Sequence, residues 1–318
     1  MEKVESQPAQ EGSAHGPSSE LLHFYRTPAP VTDLAKYATL IDWLTDDIRA
    51  IYQVVQGLLI HGGWLGTYGI TMQREQTYDT QIAYMTDLLD KALELDPRSL
   101  SIPRSPERRV ICCCREFATL MCAILRHKGM PARSRCGFAT YLAYPGYYED
   151  HWVCEYLDAQ EQRWVMVDPQ VDPLQQSQLK LHINPLDVNG EQFITAGHAW
   201  KMCRTGAVGP DRFGICDDPK PYGLDSLYGL WFARGQLLRD LAALNKVETV
   251  PYLVLLEQGR DWSSWRLVGA DDASLTADDM ALLDRAADVA ISATSLPEIT
   301  ALYNDHPDLQ PPMAIMAR

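Results

Sequence analysis

Between Asp33 and Ile60, apolar residues recur at steps of three and four, at Leu34, Tyr37, Ile41, Leu44, Ile48, Ile51, Val54 and Leu58. That period predicts one amphipathic helix or a close pair. A second helical stretch carries Ile82, Met85, Leu88, Leu89 and Leu93. Asp96-Pro97-Arg98-Ser99 and Pro103-Arg104-Ser105-Pro106 then form a turn-rich connection, because proline removes a helical donor and disfavours helix in the residue before it. A third helix is predicted from about Cys114 to His127, with Phe117, Leu120, Met121, Ile124 and Leu125 on one face and Gly129 near its stop. Beyond Pro131 the pattern changes to strands at Ser134 to Ala143, His151 to Leu157 and Trp164 to Val167. After Asp168 the chain is irregular and then helical again. Trp231 to Lys246 puts Leu237, Leu238, Leu241 and Leu244 on one face, and Thr276 to Ala290 is an acidic amphipathic helix.

This order predicts an α+β fold in four parts. Residues 1–20, rich in Glu, Gln, Ser, Gly and Pro and without an apolar period, read as a disordered tail. Residues 21–108 form an N-terminal helical layer, 109–190 the core, and 191–318 a mainly helical elaboration packed on it. The hydrophobic fraction of 46% and charged fraction of 22% are those of a soluble globular protein. A net charge of −14 repels phosphate backbones and anionic membranes, so nucleic acid and membrane surfaces are not expected partners. The start lacks a secretory signal, and no apolar run approaches the roughly 20 residues needed to span a bilayer, so a cytoplasmic location is expected. The eight cysteines, three of them adjacent, are too sparse for a small disulfide scaffold and read as reduced thiols.

The chemistry lies in Cys114, His151 and Asp168. A thiol at a helix start, followed in the chain by an imidazole and a carboxylate on strands, is the pattern of a nucleophile with its base and orienting acid. The positive end of the helix dipole lies beside Cys114, which predicts a lowered thiol pKa and a reactive sulfur. Asp158-Ala159-Gln160-Glu161 reads as a short hairpin turn. With Asp158 opposite Glu161, His151 falls opposite Asp168, within hydrogen-bonding reach of its carboxylate.

Cys114-Arg115-Glu116-Phe117-Ala118-Thr119-Leu120, Gly129-Met130-Pro131-Ala132-Arg133, His151-Trp152-Val153-Cys154-Glu155-Tyr156 and Trp164-Val165-Met166-Val167-Asp168-Pro169 together resemble the core of the transglutaminase-like superfamily. The resemblance covers about residues 110–170. Flanking segments, including 211–215 and 237–246, are similar to a bacterial group within it. It implies a papain-like α+β fold, with Cys114 as nucleophile, His151 as general base and acid, and Asp168 as orienter. Two departures concern the oxyanion geometry. Cys112-Cys113 stands where such proteins carry a small residue or glycine, and Glu116 where they carry Asp.

Other residues have plainer roles. Cys122, Cys136, Cys154, Cys203 and Cys216 read as packing thiols, with Cys113 the main rival to Cys114. Tyr147, Tyr148 and Trp152 belong to an aromatic cluster that forms either a wall of the substrate pocket or core packing. Arg115 and Arg133 read as solvating helix ends. No spacing fits a zinc site, and no glycine-rich loop suggests a nucleotide, so neither metal nor cofactor is expected. The expected function is cysteine-dependent acyl transfer on a small-molecule, peptide or acyl-carrier substrate. A peptidase- or amidase-type hydrolase and a catalytically silent binding module are the rivals.

Overall fold

The computed structural model describes residues 17–71, 82–216, 226–250 and 264–312. Most of the expected N-terminal tail lies outside these residues. Helix α1 (Ser19–Arg26) begins where Ser18 Oγ accepts the Leu21 N–H. The apolar period that follows splits into α2 (Ala38–Asp42) and α3 (Ile48–Leu58), because the Asp47 carboxylate accepts the Ala50 N–H at 2.7 Å and starts a new helix. Strand β1 (Leu59–His61) follows directly, then α4 (Met85–Leu95), β2 (Val110–Cys112) and α5 (Cys114–His127). The main sheet is built from β3 (Ala132–Ala139), β4 (Tyr148–Asp158) and β5 (Arg163–Val167). After these come α6 (Pro173–Leu179), β6 (Phe193–Thr195), α7 (Ala196–Thr205) and β7 (Phe213–Gly214). Four helices close the described chain: α8 (Leu230–Leu244), α9 (Arg266–Gly269), α10 (Ala277–Ser292) and α11 (Leu296–Asp305).

The architecture is α+β. The main sheet runs β5-β4-β3-β6, all antiparallel, and β7 lies parallel to the start of β4. A separate parallel pair joins β1 to β2, setting His61 beside Cys112. One sheet face is covered by α5. Ala132, Cys154, Tyr156, Val165 and Val167 share a core with Phe117, Leu120, Met121 and Ile124 and with residues of α3 and α4. A second core unites α8, α9, α10 and α11, and Leu21 and Tyr25 of α1 pack into it.

Helix α5 is buried on nearly every side, from Cys114 to Arg126, which is the condition of a helix inside a core rather than on its surface. Its polar positions are therefore structural. Arg115 donates to the carbonyls of Ile82, Ala83, Glu248 and Thr249 and pairs with Glu116 at 3.0 Å. Arg126 pairs with Glu248 at 3.0 Å. Arg133 bonds Glu155 at 2.6 Å and the Ala293 carbonyl at 2.7 Å. The expectation that Arg115 and Arg133 solvate helix ends is thus corrected. A buried guanidinium brings five donors, and each of these two satisfies carbonyls that packing hides from water.

The β4–β5 hairpin also departs from expectation. Asp158 faces Arg163, not Glu161, so the turn holds four residues and the register slips by two. A slip of two preserves the face of every side chain.

Candidate active site

Asp168 follows the last residue of β5 and His151 lies four residues into β4, on the same face of the sheet. They are diagonal rather than direct neighbours, which still leaves long side chains in reach of each other. His151 Nε2 and Asp168 Oδ2 are 2.8 Å apart, and both groups are buried. The same oxygen accepts the Tyr141 hydroxyl at 2.7 Å, and Oδ1 accepts the Gln170 N–H at 3.0 Å. Three donors fix the carboxylate, and the carboxylate fixes the ring, leaving Nδ1 as the nitrogen free of Asp168. The bond to Tyr141 was not foreseen: Tyr141 fell inside the strand expected from Ser134 to Ala143, but β3 ends at Ala139.

Cys114 is the first residue of α5, 8% exposed, and packs against Ala118, Cys136, Trp152 and Ala243. Cys136 and Trp152 form one rung of the β3–β4 ladder, and Gly137 and His151 form the next. No hydrogen bond joins the Cys114 sulfur to the His151 ring. Burial first, then the Asp168 carboxylate and more weakly Cys114, push the Tyr141 phenol well above its usual range. His61 feels His151 in the same way, and burial first and that repulsion second lower it to about 4.

Residues 76–169 match the family model of the transglutaminase-like superfamily. The chain carries a transglutaminase-like domain. The matched stretch contains Cys114, His151 and Asp168 and closes on Pro169. No curated protein matches the chain. Among solved structures it is similar to one described as a "putative cysteine protease" from Cytophaga hutchinsonii, with 16% identity and a TM-score of 0.31. That likeness covers 48% of this chain and 43% of the other, so this chain spans under half of its length.

The start of α5 in the transglutaminase-like domain explains its departures from the family pattern. Glu116 reaches back to accept the Cys113 N–H at 3.0 Å and the Cys113 thiol at 2.9 Å. A glutamate at the third helical position has the length for this reciprocal cap. Its charge is unfavourable to a thiolate nearby. For Cys114, hydrogen bonding from Cys113 acts to lower the thiol pKa, but burial and the Asp150 and Glu116 carboxylates outweigh it and push the thiol above its ordinary value. The lowered pKa expected from the helix start is thereby reversed, since a dipole end is worth less than burial with two like charges. Cys112 and Cys113 are driven up further, Cys113 chiefly by its hydrogen bond to Cys114 and Cys112 chiefly by burial.

Asp150 was not singled out in the sequence. Burial raises its pKa to about 6 against the pull of Arg239. Around it, Gln236 of α8 accepts the Cys136 thiol at 2.6 Å, and the Arg239 guanidinium of the same helix lies 5.3 Å from the Trp152 ring centroid. Asp150 Oδ1 and Trp152 Nε1 are both buried without a hydrogen-bond partner.

The three aromatic residues considered for a pocket sit apart. Trp152 is fully buried beside Cys114. Tyr148 stacks on Phe213 at 4.5 Å, and Tyr147 meets the edge of Tyr228 at 5.7 Å beneath Arg212. All eight cysteines are free; Cys122, Cys136 and Cys154 are buried, Cys203 is half-buried and Cys216 is exposed. Among the described residues no helix is long and apolar enough to cross a membrane.

Proposed function

We propose that the domain catalyses cysteine-dependent acyl transfer, with Cys114 as nucleophile, His151 as general base and acid, and Asp168 as orienter. The observation that carries this reading is the buried 2.8 Å contact between His151 and Asp168 inside a transglutaminase-like domain whose buried helix starts at Cys114. With Nε2 held by the carboxylate, Nδ1 is the atom that takes the thiol proton. The sulfur then bonds to the acyl carbon of an amide, ester or thioester, and the leaving group departs with the proton returned by His151. An amine or water attacks the thioester, gives up its proton to the same nitrogen and regenerates the thiol. The backbone N–H of Cys114 is a natural donor to the developing oxyanion, and Trp152 Nε1, unpartnered and packed beside Cys114, is the side-chain donor at hand. Burial and the nearby carboxylates favour the protonated thiol, which supports a route in which His151 acts as general base.

Incubation with small thioesters or p-nitrophenyl esters tests this. The expected result is a mass gain mapping to Cys114, lost in Cys114→Ser, with hydroxylamine capturing the acyl group in competition with water. Release into water alone favours a hydrolase. If a broad donor panel leaves no adduct and Cys114→Ser behaves as wild type, the binding-module reading replaces the enzyme.

A further inference from the structure

On the sheet face away from α5 lies a cleft of about 480 Å³ that the proposed chemistry does not use. Its back wall is the sheet, through Arg135, Glu155 and Met166, with Phe193 to Thr195 at the β6 edge. Its side is one stripe of α7, with His198, Lys201, Met202 and Thr205 at helical steps of three and four. Ile291 of α10 closes the far end. The volume is that of a small-molecule site, since such sites run from about 300 to 1,000 Å³. Phe193, Ile194, Ile291 and two methionines supply an apolar lining, and thioethers adapt to varied shapes.

The polar groups of the cleft are unequal. Arg135 has its donors engaged by Asp240, Glu155 and the Ala290 carbonyl, so it is a fixed part of the wall. Glu155, the acidic group in the lining, is held between Arg133 and Arg135. Half-buried Lys201 is tied at 2.9 Å to the exposed carboxylate of Asp288. Pairs that water reaches on one side contribute roughly 0–1 kcal/mol, so the ammonium can exchange partners. At His198, Nδ1 lies 2.8 Å from the Thr195 hydroxyl, which leaves Nε2 for another contact. Partial burial first, and the Arg135 charge second, favour the neutral ring, and in the tautomer whose Nδ1 accepts from Thr195 the Nε2–H is a donor. The lining thus offers two donors that can turn to a ligand, one of them the Lys201 ammonium now shared with Asp288, and no uncommitted carboxylate.

We propose that this cleft is a second binding site, for a small amphiphilic carboxylate whose apolar chain lies on Met166, Phe193 and Met202 and whose head meets Lys201 and His198. The Phe193 ring that floors the cleft also stands 6.4 Å from the His151 ring, edge to face, so an occupant rests on the back of a residue that supports the imidazole. Binding itself does not depend on the acyl-transfer reading, and its failure leaves that reading untouched.

Titration calorimetry on the whole protein, with decanoate kept below its micelle concentration and decanol as the neutral arm, tests the site. The expected result is saturable 1:1 decanoate binding. Lys201→Glu should weaken decanoate by about tenfold or more, the effect of losing one charge-assisted contact, and change decanol less than about twofold. Thr205→Trp, at an exposed position on the mouth, should weaken both ligands while leaving the melting curve in place. Absence of saturable decanoate binding up to about 1 mM, the weak end of specific affinity, overturns the proposal. So does decanoate binding indifferent to Lys201→Glu, or binding of both ligands indifferent to Thr205→Trp.

Discussion

Gly137 sits so close to its neighbours that one added methyl group should do measurable harm, and the harm can be sized. It faces His151 across the β3–β4 ladder and Thr195 across the β3–β6 ladder. A Cβ built there lies 2.3 Å from the Ile194 carbonyl oxygen and 2.9 Å from both Phe193 Cζ and Thr195 Cα. Ordinary contact begins near 3.4 Å, so β6 must retreat by roughly 1 Å, and what resists is backbone rather than a pliable side chain. Overpacking costs about 1–3 kcal/mol, and a backbone clash belongs at the upper end. At about 1.5 °C per kcal/mol for a chain of 318 residues, Gly137→Ala should melt roughly 3–5 °C below wild type. Gly66→Ala is the matched control. A Cβ at Gly66 meets nothing within 4 Å, and the exposed backbone there is not left-handed. That substitution should be neutral or stabilising by up to about 1 kcal/mol, through the loss of freedom in the unfolded chain. Thermal unfolding followed by circular dichroism distinguishes the two. Melting of Gly137→Ala within about 2 °C of the control, a difference in the range of surface noise, would refute the argument from close approach.

Alkylation of Cys114 by iodoacetamide, read by peptide mapping, should precede that of Cys112 and Cys113, and its rate should climb about tenfold per pH unit from pH 6 to 8, because a thiol raised above its ordinary value is still protonated there. A plateau below pH 7 would show a thiolate already formed. Asp150→Asn removes a like charge from the thiol's surroundings, so it should speed alkylation at pH 7.5 by up to roughly tenfold, the effect of one pKa unit. At pH 5, below the Asp150 value of about 6, the two proteins should react alike. Burial raises the folded pKa of Asp150 to about 6 and of Glu149 to about 7, so both favour the folded state below the ordinary carboxylate range and lose that contribution as pH rises to 7. The double variant Glu149→Gln/Asp150→Asn should therefore show a flatter stability profile between pH 4 and 7 in denaturant titrations; an unchanged slope would count against it. Glu155→Leu leaves Arg133 buried without a carboxylate and Arg135 with Asp240 alone, and should cost about 3–5 kcal/mol in the same titration.

The helix from Cys114 to His127 was legible to the residue because its boundaries are chemical: a polar start, an apolar period and a glycine with positive φ just beyond its end. The contact of His151 with Asp168 was legible for a reason that tolerates error. The four-residue turn puts Gln162, not a glycine or asparagine, at φ 52°, so nothing in its composition marked the extra length. The resulting slip of two still delivers both side chains to one face. Strands β6 and β7, three and two residues long, are too short to show any period. Asp150 and the reversal of the thiol's pKa were hidden because burial of a charge depends on α8, whose packing against β3 no local pattern announces.

The polar side of α5 bears on how much chain makes a working unit. Arg115 is satisfied by carbonyls at 82–83 and 248–249, Arg126 by Glu248, and the Tyr25 hydroxyl by the Leu244 carbonyl. A fragment trimmed to the family's matched stretch, 76–169, would keep these guanidiniums and lose the acceptors supplied from beyond Pro169. The homologous segment is therefore not an excisable module: the sulfur of Cys114 is held in place by chain lying some 130 residues downstream, and any minimal recombinant piece has to reach at least through Thr249.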